Sequence, residues 1–217
     1  MAKKERYIVL GICIPYFKNT EQCEIAFKEL MEKIGKQLDD KMLLCVYEDG
    51  QVSDWLVEYQ KKLGDKMFLI QNPVNYGVSY ARNRILDYLV DKSLYVLFID
   101  SDDDIDDDYL KVMSQYCGDN SHEVIESGFL VNGVRAQFNK NILRCGAAGS
   151  AIQSRLLRNK RFDENLQIGE DTKFMGDVID LTKHRKKYAD TDYYYKLGNN
   201  SESLTMRYDK KTISKVR

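Results

Sequence analysis

The stretch Leu94-Tyr95-Val96-Leu97-Phe98-Ile99-Asp100-Ser101-Asp102-Asp103-Asp104 decides how the rest of the chain is read. Its apolar half reads as a buried strand, and the strand runs straight into carboxylates. Adjacent carboxylates on a tight loop repel one another, and a hard, oxygen-seeking cation such as Mg²⁺ or Mn²⁺ relieves that repulsion. Asp100 and Asp102 directly follow the strand, so they are the candidates for a cation held on a substrate diphosphate. Asp106, Asp107 and Asp108 fit a blander role, as acids at the start of the next helix.

Upstream, strands and helices alternate. Tyr7 to Ile14 reads as a buried strand ended by Pro15. Thr20 caps a helix whose apolar face is Phe27, Leu30, Met31, Ile34 and Leu38. Met42 to Tyr47 is a second strand, followed by Glu48-Asp49-Gly50, and a helix over 54–63 comes next with Ser53 as its cap. Met67 to Ile70 is a third strand, stopped by Asn72-Pro73. Val78, Ala81, Ile85 and Leu89 mark another amphipathic helix. This alternation predicts an α/β fold with a central, mostly parallel sheet and helices on both faces. Such sheets bind ligands at the carboxyl ends of their strands. Pro15-Tyr16, Glu48-Asp49-Gly50 and Asp100-Ser101-Asp102 all fall at those ends and would share one crevice.

After residue 120 the pattern loosens. Val124 to Val131, Asn132-Gly133 and Val134 to Phe138 read as a tight β-hairpin. Ile152 to Leu157 reads as a short helix and Glu170 to Leu181 as a longer one. Lys183, His184, Arg185, Lys186 and Lys187 would then complement the dipole at that helix's end. The tail beyond Tyr208 is polar and basic.

Composition bounds the function. The chain has 217 residues, 43% hydrophobic and 31% charged, which suits one globular domain without disulfide staples. A net charge of -1 gives no basic excess to attract nucleic acid. The 5 cysteines form no C-x-x-C pair, and Cys13, Cys45 and Cys145 lie in apolar runs. That argues for a reducing compartment and against zinc. Lys3-Lys4-Glu5-Arg6 before the first strand only superficially suggests a signal peptide, because Glu5 interrupts the basic stretch. No run approaches the ~18 apolar residues a transmembrane helix needs.

Other aspartate-rich motifs fit poorly. An EF-hand counted from Asp100 needs glycine at its sixth position and glutamate at its twelfth, where Ile105 and Lys111 stand. A Walker B strand needs a P-loop, and no G-x-x-x-x-G-K-[ST] occurs. Phosphatases of the haloacid-dehalogenase type place D-x-D on their first strand, whereas three strands precede it here. Two further constellations are weak alone. Gly169-Glu170-Asp171 lies at a helix start, where acids also simply complement the dipole. Asn75 to Asn83 contains Gly77 for a turn and Arg82, which would meet phosphate or a base, or lie at the surface.

In order, these pieces resemble family 2 glycosyltransferases of the GT-A fold. The carrying residues are Ile14-Pro15-Tyr16-Phe17-Lys18-Asn19, Glu48-Asp49-Gly50, Asn75-x-Gly77 with Ala81-Arg82-Asn83, Asp100-Ser101-Asp102-Asp103, Phe162-Asp163-Glu164, and Gly169-Glu170-Asp171 with Phe174. Tyr193-Tyr194-Tyr195-Lys196 to Ser203-Leu204-Thr205 is similar to the family's closing strand and loop. Glu48 departs from the commoner aspartate, and Lys18 extends the first loop. The Q-x-x-R-W motif of processive synthases is absent.

The resemblance implies a GT-A-like domain over 1–208, with a nucleotide-sugar half (1–118), an acceptor half (119–208) and a tail at 209–217. It implies an inverting, metal-dependent transfer from a nucleotide-sugar, a UDP-sugar foremost, to a glycan, lipid-linked or protein hydroxyl in the cytoplasm. Pro15, Tyr16, Asp49, Arg82, Asp100 and Ser101 would bind the nucleotide-sugar, and Asp49 would accept from a uracil N–H. Asp102 would ligate Mn²⁺ or Mg²⁺. Asp171 would be the general base, beside Glu170. Gly146 to Ser150, Gly149 and Ser150 above all, would border the acceptor. A non-catalytic binder of the same fold and a metal-dependent phosphatase stay as alternatives.

Overall fold

Hydrophobic runs, buried on both faces at the centre and half-buried at the outer strand, form the parallel part of the sheet. In the computed structural model, which describes residues 7–136 and 146–196, these are β1 (Ile8–Tyr16), β2 (Met42–Asp49), β3 (Met67–Asn72) and β4 (Ser93–Phe98). β1 lies between β2 and β4, β3 lies outside β2, and all three pairings are parallel. Helices α1 (Glu21–Gln37), α2 (Asp54–Leu63) and α3 (Val78–Leu89) connect them. Thr20 caps α1, accepting the Cys23 N–H at 3.2 Å.

Side chains alternate across the sheet and so build two cores. Leu10, Ile12, Ile14, Leu44 and Val46 pack under Phe27, Leu30, Met31 and Ile34 of α1 and Leu56 of α2. Cys13, Leu43, Cys45 and Tyr47 pack on the other face against Ala81, Ile85, Leu86 and Leu89 of α3. Gly11 lets α3 approach: a Cβ there would stand 2.6 Å from Ser93 Oγ and 3.1 Å from Leu89.

The later elements are β5 (Asp104–Ile105), α4 (Tyr109–Gly118), β6 (Val124–Val131), β7 (Val134–Arg135), β8 (Ser150–Gln153), α5 (Ser154–Leu157), α6 (Glu170–Val178) and β9 (Lys186–Tyr195). The strands form one sheet in the order β3-β2-β1-β4-β8-β6-β9-β5, with β7 paired to β6. β8 is antiparallel to both β4 and β6, and β6 is parallel to β9. The sheet is therefore mixed. The expected parallel arrangement holds from β3 to β4 and stops at β8. Two inversions through β8 restore direction, so β1 to β4, β6 and β9 all end at one edge.

Ser150 to Gln153, in part expected as helix, is a central strand fully buried between β4 and β6. α6 stops at Val178, with Ile179 as its C-cap, so the basic run 183–187 does not lie at its end. Lys186 opens β9 instead, and its ammonium is buried 3.2 Å from Glu126. Asp106 is no helix cap: it accepts the Asp192 N–H and the Tyr194 hydroxyl, both at 2.7 Å. The 124–135 hairpin has the expected turn, with Asn132 and Gly133 both at positive φ. Residues 3–6, 137–138, 203–205, 209–217 and Cys145 lie outside the described residues.

Candidate functional site

The aspartate loop begins one residue beyond Ile99, whose N–H still reaches Cys13 O. Each carboxylate has its own surroundings. Asp100 Oδ1 accepts Arg82 Nη2 at 2.7 Å. Asp103 is buried; it accepts the Tyr193 hydroxyl at 2.7 Å and the Lys196 N–H at 3.0 Å. Asp104 accepts Lys33 Nζ at 2.7 Å. None of these bonds engages Asp102. Its half-buried carboxyl is pushed up to about 6, first by burial and then by the charge of Asp100.

These surroundings test whether a divalent cation fits. Among the described residues, no cluster of three or more His, Cys, Asp or Glu side chains is gathered to hold an ion. The described residues alone gather no cage. They do supply one carboxylate whose negative charge is poorly compensated. Mg²⁺ sites of the phosphate-bridging kind take one or two carboxylates and complete their shell with substrate oxygens and water. Asp102 fits that sparser arrangement.

Arg82 organises the centre. It lies on the second turn of α3, with its side chain 3% exposed. Nη2 holds Asp100, while Nη1 holds Asp171 Oδ1 at 2.6 Å and Glu170 Oε1 at 3.4 Å. The guanidinium also sits over the Phe162 ring, 5.1 Å from its centroid. Expected to meet phosphate or a base, or to lie at the surface, Arg82 is no surface charge: it is a buried cation that joins the aspartate loop to the start of α6. Its pKa is raised by the Asp171, Asp100 and Glu170 carboxylates against the opposing effect of burial.

Glu170 and Asp171 form the first turn of α6, after Gly169 at φ 76°. Burial pushes the Asp171 carboxyl up to about 6; Arg82 opposes the rise, and Asp100 and Glu170 add to it. Asp171 Oδ2 also accepts the Ala147 N–H at 3.4 Å. Gly146 stands beside it, since a Cβ there would lie 3.9 Å from Asp171 Oδ2. Gly149 and Ser150, expected at the acceptor side, are both buried, and Ser150 is a strand residue at 0% exposure. The segment that reaches the candidate base is Gly146-Ala147.

Asn83, next to Arg82, ties in another stretch of sequence. Its amide donates to Phe162 O at 2.9 Å and to Glu164 Oε1 at 2.8 Å, and its Oδ1 accepts the Phe162 N–H at 2.8 Å. Phe162 then stacks on Phe174 of α6 with centroids 3.7 Å apart. The motif spacing contained these residues, but not the fact that they touch.

The nucleotide-side residues divide. Asp49 accepts the Tyr76 N–H at 3.0 Å and the Gly77 N–H at 2.7 Å, so it shapes the turn into α3. Burial raises its carboxyl above the usual range. Glu48 accepts the Ser53 N–H at 2.9 Å and Gln71 at 2.7 Å, a structural use of the longer side chain. Pro15 is buried within β1, and Ser101 is half-buried in the loop. Tyr16, expected at the base, is 1% exposed and stacks on Phe27 at 4.1 Å, so its ring belongs to the core. Tyr76, on the turn that Asp49 holds, is 57% exposed, and Phe17 is a second open aromatic at this edge, 38% exposed and packed over Gly50. Its place marks it, because Phe17 is the first residue beyond β1, where the chain leaves the core packed on both faces of the strand.

Comparison with known proteins agrees with this geometry. Residues 11–183 match the model of glycosyl transferase family 2. The minor teichoic acid biosynthesis protein GgaB of Bacillus subtilis (strain 168) is 24% identical over 206 residues, covering 83% of this chain and 22% of that protein. GgaA of the same strain is 25% identical over 225 residues, covering 92% of this chain and 49% of GgaA. The chain thus spans about half or less of these curated relatives. Among solved structures, S. aureus TarS 1-349 in complex with UDP-GlcNAc is similar at a TM-score of 0.75 and 18% identity, covering 93% of this chain and 62% of that one. The mannosyltransferase PcManGT from Pyrobaculum calidifontis, in complex with GDP-Man and Mn²⁺, gives a TM-score of 0.64 at 13% identity, covering 89% and 58%. No helix among the described residues is long and apolar enough to cross a membrane. With its ordered motifs folded onto one sheet edge and its family model matched along most of its length, this chain belongs to glycosyl transferase family 2.

Proposed function

We propose that this domain transfers a sugar from a nucleoside-diphosphate donor, a UDP-sugar foremost, to an acceptor hydroxyl with inversion at the anomeric carbon. The observation that carries the reading is Arg82, whose one buried guanidinium holds both Asp100 of the aspartate loop and Asp171 of α6. Donor-side and acceptor-side acids are thereby parts of one constellation, as a single displacement requires.

Asp171 takes the acceptor proton as the hydroxyl oxygen attacks the anomeric carbon. A carboxyl at about 6 is ionised at neutral pH and a stronger base than an ordinary aspartate. Arg82 keeps Asp171 oriented and charged, and Glu170 adds to the negative field there. Gly146-Ala147 borders the acceptor. Asp102 would hold the divalent cation, Mn²⁺ or Mg²⁺, against the donor diphosphate, where it offsets charge on the leaving group. Phe17 replaces Tyr16 as the aromatic platform for the base, and Asp49 positions the Tyr76-Gly77 backbone beside it.

The relatives' names support the substrate class. The TarS structure holds UDP-GlcNAc and the PcManGT structure holds GDP-Man and Mn²⁺. GgaA and GgaB are named for minor teichoic acid biosynthesis, which favours a cell-surface polymer or its lipid-linked precursor as acceptor. Buried, free Cys13, Cys45 and Cys117 suit a cytoplasmic, reducing setting.

A thermal-shift panel of nucleotide-sugars with and without Mn²⁺, followed by donor turnover, tests this reading. A ligand that binds only the folded protein raises its Tm in proportion to occupancy. One donor should stabilise the protein more with Mn²⁺ than without, and should then be consumed. No stabilisation by any UDP- or GDP-sugar sinks the proposal, and release of phosphate from simple esters would point to a phosphatase instead.

A further inference from the structure

We propose that Tyr193 is a positioning residue for the aspartate loop: its hydroxyl fixes the loop on both sides of Asp102. The inference rests on the reading of Asp102 as the residue that faces the donor diphosphate. Tyr193 lies in β9, 0% exposed, far from that loop in sequence. Its oxygen accepts the Asp100 N–H at 2.9 Å, and its proton goes to Asp103 Oδ2 at 2.7 Å. One buried hydroxyl thus uses a donor and an acceptor on a single turn, which is itself closed by Asp103 N–H to Asp100 O at 3.3 Å. Asp102 sits inside that closed turn, tethered before and after, while its own carboxylate makes none of these bonds.

The end of β9 and the residue that follows it reinforce the clamp. The Lys196 N–H binds the other Asp103 oxygen, and Ile105 and Asp104 pair with Tyr193 and Tyr194 as a short antiparallel ladder. Phe129 of β6 stacks on the Tyr193 ring with centroids 5.6 Å apart, which leaves the phenol little freedom to turn. The loop's shape is therefore set by the acceptor-side strands β6 and β9. The side chains on the loop itself repel one another and would splay without that hold.

The test is Tyr193→Phe, which keeps the ring and its stacking and removes only the hydroxyl. Binding of UDP and of UMP is measured by calorimetry, each with and without Mn²⁺. Outer-shell partners of a metal-facing carboxylate typically change affinity on the order of 10-fold to 100-fold. Tyr193→Phe should weaken UDP binding in Mn²⁺ by about tenfold or more, and leave UMP binding as in the wild type. Asp103→Asn, whose amide can replace only one of the two acceptor oxygens, should give the same split and serves if Tyr193→Phe does not fold. Tyr95→Phe removes another largely buried phenol hydroxyl, bonded to His122 O, and should leave both ligands unaffected. Wild-type affinity for UDP in Mn²⁺, or equal loss of UDP and UMP in both variants, overturns the inference. A wild-type protein that binds UDP no tighter with Mn²⁺ overturns the donor reading itself, and the inference falls with it.

Discussion

Arg82 Nη1 lies 2.6 Å from Asp171 Oδ1, although 89 residues separate the two in sequence. One guanidinium there serves three carboxylates, Asp100, Asp171 and Glu170. Positive charge is thus short there, and burial together with the charges of Asp100 and Glu170 pushes the Asp171 carboxyl up to about 6. That shortage underlies several of the expectations below.

Removing Arg82 leaves acids partly buried without their partner. Breaking a buried pair by removing one side typically costs ~3–5 kcal/mol. Arg82→Ala should lower unfolding stability by about that amount in urea titrations at neutral pH. Arg82→Lys should recover only part of it, because an ammonium cannot reproduce a planar fork that reaches Asp100 and Asp171 from different nitrogens. Full stability of Arg82→Ala would mean that the bridge contributes little.

Asp171→Asn should keep the fold and lose transfer by roughly 10²- to 10⁴-fold, the usual worth of a positioned general base. The pH profile follows from the raised carboxyl. Folded Asp171 titrates at about 6, above an ordinary aspartate, and only its ionised form accepts a proton. The rate should therefore be full above that value and fall as pH drops through it. The groups facing it are Arg82, which stays charged across this range, and Asp100 and Glu170, which favour protonation. A rate that is flat from pH 7.5 to 4.5 rules Asp171 out as the base.

Asp102→Asn separates function from stability. The substitution removes a charge that burial and Asp100 both disfavour, so the unliganded protein should melt higher than the wild type. The same variant should lose the part of UDP binding that depends on Mn²⁺. Calorimetry with and without the ion reads both effects. Unchanged Mn²⁺-dependent binding would remove Asp102 from the site.

How much of this was legible in the sequence follows from what each signal depends on. β1 to β4 declare themselves because they are apolar on both faces, and their ends carry the motif residues. β8 does not, because Ser150 to Gln153 is four residues long and its neighbours in space come from distant strands. β9 alternates polar and apolar residues and starts inside a basic run, so charge masked its period. At the site, residue types and order pointed to Asp102, Arg82 and Asp171. Their partners could not be read: whether Arg82 is a surface charge or a buried hub depends on carboxylates 18 and 89 positions away. The direction of the Tyr16 ring could not be read either, for a local reason. At a strand's end, one residue of register decides whether an aromatic faces the core or the cleft.

That register gives a direct comparison of two adjacent rings. Tyr16 stacks on Phe27 and meets Trp55 edge-on at 6.4 Å, all within the core beneath α1 and α2. Phe17 is open to solvent above Gly50, beside the Asn75 turn that leads into α3. Stacking of a base on an aromatic ring is worth ~1–3 kcal/mol by alanine substitution. Phe17→Ala should weaken UMP and UDP equally, by roughly 5-fold to 150-fold on that scale, since both carry the base. It should leave stability nearly unchanged because the ring is exposed. Tyr16→Phe should leave nucleotide binding as it was, and Tyr16→Ala should cost several kcal/mol of stability, ~3–5 for a large core aromatic. Calorimetry and urea unfolding on the three variants decide between the rings. If Tyr16→Phe weakens UMP while Phe17→Ala does not, the base is read by the buried tyrosine hydroxyl, and the strand must shift when donor binds.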